Sequence, residues 1–408
     1  MELVTPEALG LHSGQLGRIG EHLRQQYLEP GKLPGSITLV ARHGQACLLD
    51  IAGQRDLERG TPMTADTIFR LYSMSKPITS VALMTLFERG LFALDDPVHR
   101  YIPSWRQLAV RKAGAFPLFE TVPCERPMTI RDLLRHTSGL TYDFLRESNI
   151  DYAYRKLQIG NPAPGYTLQD MVDQLAQLPL EFSPGDSWNY SLATDVVGHL
   201  IEVLSGQSLP DYLQQSLFEP LGMVDTAFNI APDKVDRLAS CYERDAAKKL
   251  VLNDDGQDSR FRDRVFWSGG GGLLSTVPDY YRFCQMLLGG GTLDGQRVIG
   301  SRTLEYMTAN HLPGGVDLAA IAMGNFSETQ YEGVGFGLGF ASKIDPVKNG
   351  NPASHGSFFW GGLASTLFWV DPAEELALQY VQPARSAGST GIRRAGLSRG
   401  RCARLREA

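Results

Sequence analysis

The sequence predicts an α+β fold: an antiparallel sheet flanked by helices, arranged as an α/β sandwich, with a mainly helical lobe inserted between its strands. Three observations predict it. Strand-like alternation occurs near the amino end, over residues 36–41 and 46–52, and is strong again only late, over 365–370 and 376–381. Between them, apolar residues recur at helical spacing in short stretches broken by Pro and Gly. A strand-to-helix junction at residues 68–78 joins the two regimes. The chain accordingly divides into a sheet lobe built from residues 1–90 and 265–384, a helical lobe with its connection over 91–264, and a basic tail over 385–408.

Each element has its own signal. Leu16, Ile19, Leu23 and Tyr27 mark one face of a first helix, ended by Pro30-Gly31. The two strands that follow turn back at His43-Gly44-Gln45. Ile68 to Leu71 read as the end of a strand, and Ile78, Val81, Ala82, Met84, Leu86 and Phe87 as a helix stopped by Gly90. In the helical lobe, Thr129 caps a short helix with Asp132 in its first turn, leading into His136-Thr137-Ser138-Gly139-Leu140. Thr167, Leu168, Met171, Val172 and Leu175 form a second helix; Val196, Val197, Leu200, Ile201 and Leu204 form a third, closed by Gly206.

Residues 234–264 are the most polar stretch and read as the connection between lobes, a plain solvated loop or a segment folded over a cleft. Gly269 to Gly272 permit close backbone approach, and no Lys follows in the frame of a phosphate loop. Thr276, Pro278 and Asp279 start a helix that runs through Leu288. Residues 334–341 alternate with glycine as a strand, and Asp371-Pro372 turns between the last two strands. Beyond Arg385, Arg393, Arg394, Arg399, Arg401, Arg404 and Arg406 crowd a Gly/Ser/Ala-rich segment with few apolar residues.

Composition narrows the function. A chain of 408 residues with 43% hydrophobic and 21% charged residues can bury a large core. A net charge of −6 gives no general affinity for nucleic acid or an anionic membrane, and no apolar run is long enough to span a bilayer. The amino end lacks a basic region followed by an apolar stretch, and the five scattered cysteines form no close pair, so a reducing cytoplasm is the expected location. Neither cysteines nor histidines show ligand spacing, so no metal or other cofactor is implied.

The chemistry concentrates in Ser73-Met74-Ser75-Lys76-Pro77. Ser73 and Lys76 lie three apart, so on a helix they share a face. A serine hydroxyl needs an adjacent base to become a nucleophile, and a lysine serves only if burial or nearby positive charge favours its neutral form. A helix N-terminus helps: it disfavours the ammonium and offers free N–H groups to an oxyanion. Taken alone, Tyr190 in Trp188-Asn189-Tyr190-Ser191 reads as a hydrogen-bonded core tyrosine. His136 and His355 are candidate bases, though the turn motif of His136 favours a structural hydrogen bond, and Tyr142 reads as a surface tyrosine or a lining of the same cleft. No Gly-x-Ser-x-Gly pentapeptide occurs.

Five motifs occur in one order: Ser73-Met74-Ser75-Lys76, His136 to Leu140, Tyr190-Ser191-Leu192, Pro220-Leu221-Gly222-Met223 and Trp360-Gly361-Gly362. In that order the chain, from about Pro34 to Val381, resembles the family VIII carboxylesterases, which share the fold of class C β-lactamases and D-alanyl-D-alanine peptidases. The resemblance implies a β-lactamase/transpeptidase-like fold, Ser73 as nucleophile, and Lys76 with Tyr190 as the coupled base and proton shuttle. It also implies an oxyanion hole from the N–H groups of Ser73 and Leu363. Trp360, Gly361, Gly362 and Tyr142 would line the substrate.

Two departures from the β-lactamase pattern bear on specificity. Tyr190-Ser191-Leu192 stands where those enzymes carry Tyr-x-Asn, and Trp360-Gly361-Gly362 where they carry Lys-Thr-Gly; Ser389-Thr390-Gly391 lacks the Lys. The site therefore loses an amide and a cation suited to a β-lactam, and Trp360 is expected to form an apolar wall. The implied activity is a serine carboxylesterase acting on small to medium acyl esters. A β-lactam ligand, acyl transfer to another acceptor, and a fold retained for binding or assembly are the alternatives.

Overall fold

The computed structural model describes residues 1–160, 164–324 and 331–385, and its organising element is the helix Ser75–Glu88. Apart from Thr85, Phe87 and Glu88, every residue of this helix is buried, Lys76 included. A helix apolar on all sides belongs in the middle of a molecule rather than on its surface. It packs against the helix Ala193–Ser205, and its side chains join the largest core cluster with residues from both the helical region and the sheet.

The main sheet has eight antiparallel strands. Their spatial order is Val334–Phe336, Ala341–Lys343, Phe358–Gly361, Leu367–Asp371, Leu376–Val381, Gly35–Arg42, Gln45–Asp56 and Thr61–Pro62. Carboxyl-terminal strands thus meet amino-terminal ones at its centre, with Thr38 opposite both Tyr380 and Asp50. Period-two alternation sorts the two faces. Leu376, Leu378 and Tyr380 pack with Leu16, Ile19 and Leu23 of the helix Ser13–Leu23. Ile37, Leu39 and Val381 pack on the other face with Val277 and Tyr281 of the helix Val277–Leu288. The result is a helix–sheet–helix sandwich, the fold class read from the sequence.

The helix starts follow the expected chemistry. Thr129 accepts from the Asp132 N–H while the Asp132 carboxylate accepts from the Thr129 N–H, and Thr167 with Asp170 does the same. Thr276 caps the helix Val277–Leu288, and Gly206, at φ 71°, ends Ala193–Ser205.

Two local readings are corrected, and two details are added. Residues 334–341 are not one strand but the edge of a hairpin, Val334–Phe336 turning back into Ala341–Lys343. The polar stretch 234–264 is no solvated connection: it holds the hairpin Cys241–Arg244 and Leu250–Asp254, tied to the sheet side where the Tyr242 N–H donates to Pro383 O. Buried Arg70 binds the Asp254 carboxylate beneath it, and that pair allows so polar a sequence to pack. A second hairpin, Ala109–Ala115 with Leu118–Pro123, lies inside the otherwise helical region. Lastly, the strand read before Ser73 is present, and Phe69–Arg70 pairs with Leu274–Ser275 in a two-stranded ribbon. The Arg-rich segment and Ser389-Thr390-Gly391 lie outside the described residues.

Candidate active site

The ribbon sets the position of Ser73. The Leu71 N–H donates to Leu273 O, and the chain then turns through a 3₁₀ segment, Tyr72–Met74, straight into the helix Ser75–Glu88. Ser73 therefore precedes the α-helix by two residues instead of opening it, and Lys76 stands in its first turn. Tyr72 adopts φ 46°, a left-handed conformation that costs a residue with a side chain energy. Its phenol is held in place by burial, which pushes its pKa up to about 12, and by contact with Cys241 Sγ at 3.8 Å.

Lys76 Nζ lies 3.3 Å from Ser73 Oγ and donates to Gly270 O at 2.7 Å. It also stands 4.6 Å from the ring centroid of Tyr190 and 5.3 Å from that of Tyr142. Lys76 is 1% exposed, so these groups replace water around it.

Tyr190 arrives just before the helix Ala193–Ser205. Its ring sits among His136 (5.0 Å), Tyr142 (5.3 Å) and Trp360 (5.4 Å), and its hydroxyl oxygen accepts from Trp360 Nε1 at 3.1 Å. Trp360 is thus more than the apolar wall expected of it. Its indole N–H is a neutral donor aimed at the phenol, a role that residue type alone did not suggest.

Tyr142 is buried, stacked on Phe144 at 4.7 Å, and belongs to this ring cluster rather than to the open surface. His136 is fully enclosed, with Nδ1 3.2 Å from Ser191 Oγ. Burial, reinforced by the charge of Lys76, holds its pKa well below the usual histidine range, so the ring is neutral at neutral pH. That contact is the structural hydrogen bond the sequence led one to expect.

The strand Phe358–Gly361 carries Trp360 and Gly361 beside the Ser73 turn. Gly361 pairs with Leu367, and the Gly362 N–H donates to Thr366 O. A Cβ on Gly362 would run into the carbonyl oxygen of Leu71, two residues before Ser73. Glycine at 362 therefore lets this turn pass close to the segment that leads into Ser73. The glycine run 269–272 serves the same end: a Cβ at Gly270 would stand 2.6 Å from the Asp195 carboxylate.

The sequence and the sandwich fold are both matched by known proteins. The beta-lactamase family model matches residues 21–390. The chain belongs to the beta-lactamase family. Protein Rv1367c of Mycobacterium tuberculosis is 35% identical over 360 residues, 88% of this chain and 87% of that protein. Esterase EstB of Burkholderia gladioli is 32% identical over 407 residues, 95% of each chain. Among solved structures, EstCE1, described as a hydrolase with promiscuous acyltransferase activity, superposes with a TM-score of 0.79 at 29% identity, covering 96% of this chain and 98% of that one. Within the beta-lactamase family the chain is thus of the family VIII carboxylesterase type, an enzyme of the serine-hydrolase class, with esterases and acyltransferases of the same fold as its relatives.

Proposed function

We propose that the protein is a carboxylesterase that hydrolyses small to medium acyl esters through an acyl-enzyme on Ser73. The observation that carries this reading is Lys76 Nζ, 3.3 Å from Ser73 Oγ and packed against the Tyr190 ring. Ser73 Oγ attacks the ester carbonyl carbon while its proton passes to the Lys76–Tyr190 pair. The N–H groups of Ser73 and Leu363 receive the developing oxyanion. As the tetrahedral intermediate collapses, the C–O bond to the alcohol breaks, and the pair returns the proton to the departing alkoxide. Water then gives its proton to the same pair, attacks the acyl carbon and frees Ser73, which takes the proton back.

The neutral Trp360 indole beside Tyr190 supports an ester over a β-lactam, because it offers no cation to a substrate carboxylate. Trp360, Gly361, Gly362 and Tyr142 line the acyl ester. Acyl transfer to an alcohol is the second reading, favoured by the likeness to EstCE1 and its printed acyltransferase activity.

The deciding experiment compares the wild type with Ser73→Ala on p-nitrophenyl butyrate and on a chromogenic cephalosporin. Ester turnover that disappears in the variant, with slow or no lactam cleavage, is the expected result. Lactam turnover faster than ester turnover would move the assignment to a β-lactamase, and full ester activity in the variant would overturn the mechanism. Adding butanol to the assay separates transfer from hydrolysis through the butyl ester formed.

A further inference from the structure

Asp195 is an anomaly in the helix Ala193–Ser205. It lies among Val196, Val197, Leu200 and Ile201, is 1% exposed, and feels the charge of Lys76. A buried carboxylate is costly unless hydrogen bonds and a nearby charge satisfy it. Here Oδ1 accepts from Ser268 Oγ at 2.5 Å and from the Gly270 N–H at 3.2 Å, while Oδ2 lies over the Gly270 Cα. The opposite end of the same residue, Gly270 O, accepts from Lys76 Nζ at 2.7 Å. Thr79 Oγ1 pins the preceding carbonyl, Gly269 O, at 2.8 Å.

From this chain of contacts, and resting on the esterase reading above, we infer that Asp195 is a positioning residue for Lys76, acting through Gly270. The carboxylate locks the Ser268–Gly270 strap so that the Gly270 carbonyl points at Nζ and engages one of its N–H bonds. With one bond engaged there, the remainder of the nitrogen is directed to Ser73 and Tyr190. A base misplaced by an ångström loses about 100-fold in rate. The same backbone segment supplies Tyr190 and, five residues on, Asp195, so one helix entry sets both the ring beside the lysine and the carboxylate behind Gly270. Lys76 is itself flanked by the rings of Tyr142 and Tyr190, and His136 nearby is kept neutral by burial. Burial raises the Asp195 carboxyl, while the charge of Lys76 and its two hydrogen bonds pull it down.

The test uses the full chain with Asp195→Ala, Asp195→Asn and Ser268→Ala, each checked for folding by thermal melting and assayed on p-nitrophenyl butyrate from pH 5 to 10. Asp195→Ala is expected to lower kcat by about 100-fold with KM nearly unchanged. Asp195→Asn keeps an acceptor oxygen for both donors and is expected to recover most of that loss. It removes the negative charge near Lys76, so the acid limb of kcat/KM should move to lower pH, a shift that a merely structural role would not produce. Ser268→Ala should lower kcat in the same sense but less, and it decides the matter if Asp195→Ala does not fold. A folded Asp195→Ala, or failing that Ser268→Ala, with wild-type kcat and an unmoved acid limb overturns the proposal. If the wild type itself cleaves no ester, the esterase reading fails separately, and the labelling rate of Ser73 by a serine-reactive phosphonate then reads the effect of the same variants.

Discussion

The indole N–H of Trp360 donates to the phenolic oxygen of Tyr190 at 3.1 Å, linking the sheet to the loop before the helix Ala193–Ser205. A proton shuttle that passes through a phenolate gains from such a donor, since hydrogen bonds to charged groups are worth about 1.5–3 kcal/mol. Trp360→Phe keeps the ring in its cage with Tyr190 and Phe336 and deletes only the donor. We expect kcat on p-nitrophenyl butyrate to fall by about 10–100-fold with KM changed little. Steady-state kinetics check this, and an unchanged kcat would show that the bond is only structural.

Ser73 and Lys76 should behave as one unit. Ser73→Ala and Lys76→Ala are each expected to lower kcat by on the order of 10⁴-fold or more, and the double variant should be no worse than either alone. Additive losses would mean that Lys76 acts elsewhere than on Ser73.

Asp132 anchors the turn that leads to His136 and Tyr142. It is fully buried and binds Arg126, Arg135 and Thr137 as well as its own helix cap. Burial alone would raise its carboxyl, but the Arg126 hydrogen bonds, the Thr129 N–H and the two guanidinium charges outweigh it and hold the pKa at about 2. A depressed carboxyl stabilises the fold above its ordinary value, near 3.8, and that stability is lost as pH falls toward 2. Asp132→Asn, by leaving two arginines without their anion, is expected to cost about 3–5 kcal/mol in urea unfolding at pH 7. The difference from wild type should shrink as pH drops below 4.

Lys343 carries the opposite sign. It is 3% exposed, donates to Asn349, and burial lowers its pKa from 10.5 to about 8. Below pH 8 both folded and unfolded chains hold the proton, so the penalty for burying the charge is fully present. Between pH 8 and 10.5 the unfolded chain binds the proton that the native state has lost, so stability should rise with pH. Lys343→Met should be more stable at pH 7, by about 1–3 kcal/mol, and show less of that rise. Urea melts across pH 7 to 10 read both effects; a flat wild-type profile would contradict the assignment.

Much of this protein was legible in its sequence because the signals are local. Three-residue spacing put Ser73 and Lys76 on one face, Thr129 and Thr167 announced their helices with an Asp three residues on, and alternation marked the central strands of the sheet. Five short motifs in order placed Tyr190 and Trp360 in the same site, although about 120 residues separate Ser73 from Tyr190. The polar segment 234–264 misled because hydrophilicity resembles exposure when the partner, here Arg70 for Asp254, is distant in the chain. Asp195 left a faint trace, a carboxylate inside an apolar helix face, that had no meaning without Gly270 beside it.

The sequence by itself therefore determined most of the elements, their caps and the candidate residues of the site, through patterns that span a few residues each. The tertiary structure alone decided how those groups are tuned: that Trp360 offers an N–H and not merely a wall, that His136 is neutral, and that Asp195 reaches Lys76 through a glycine carbonyl. Hydrogen-bond direction and desolvation arise between segments far apart in the chain, and they exist only once packing has expelled water from around them.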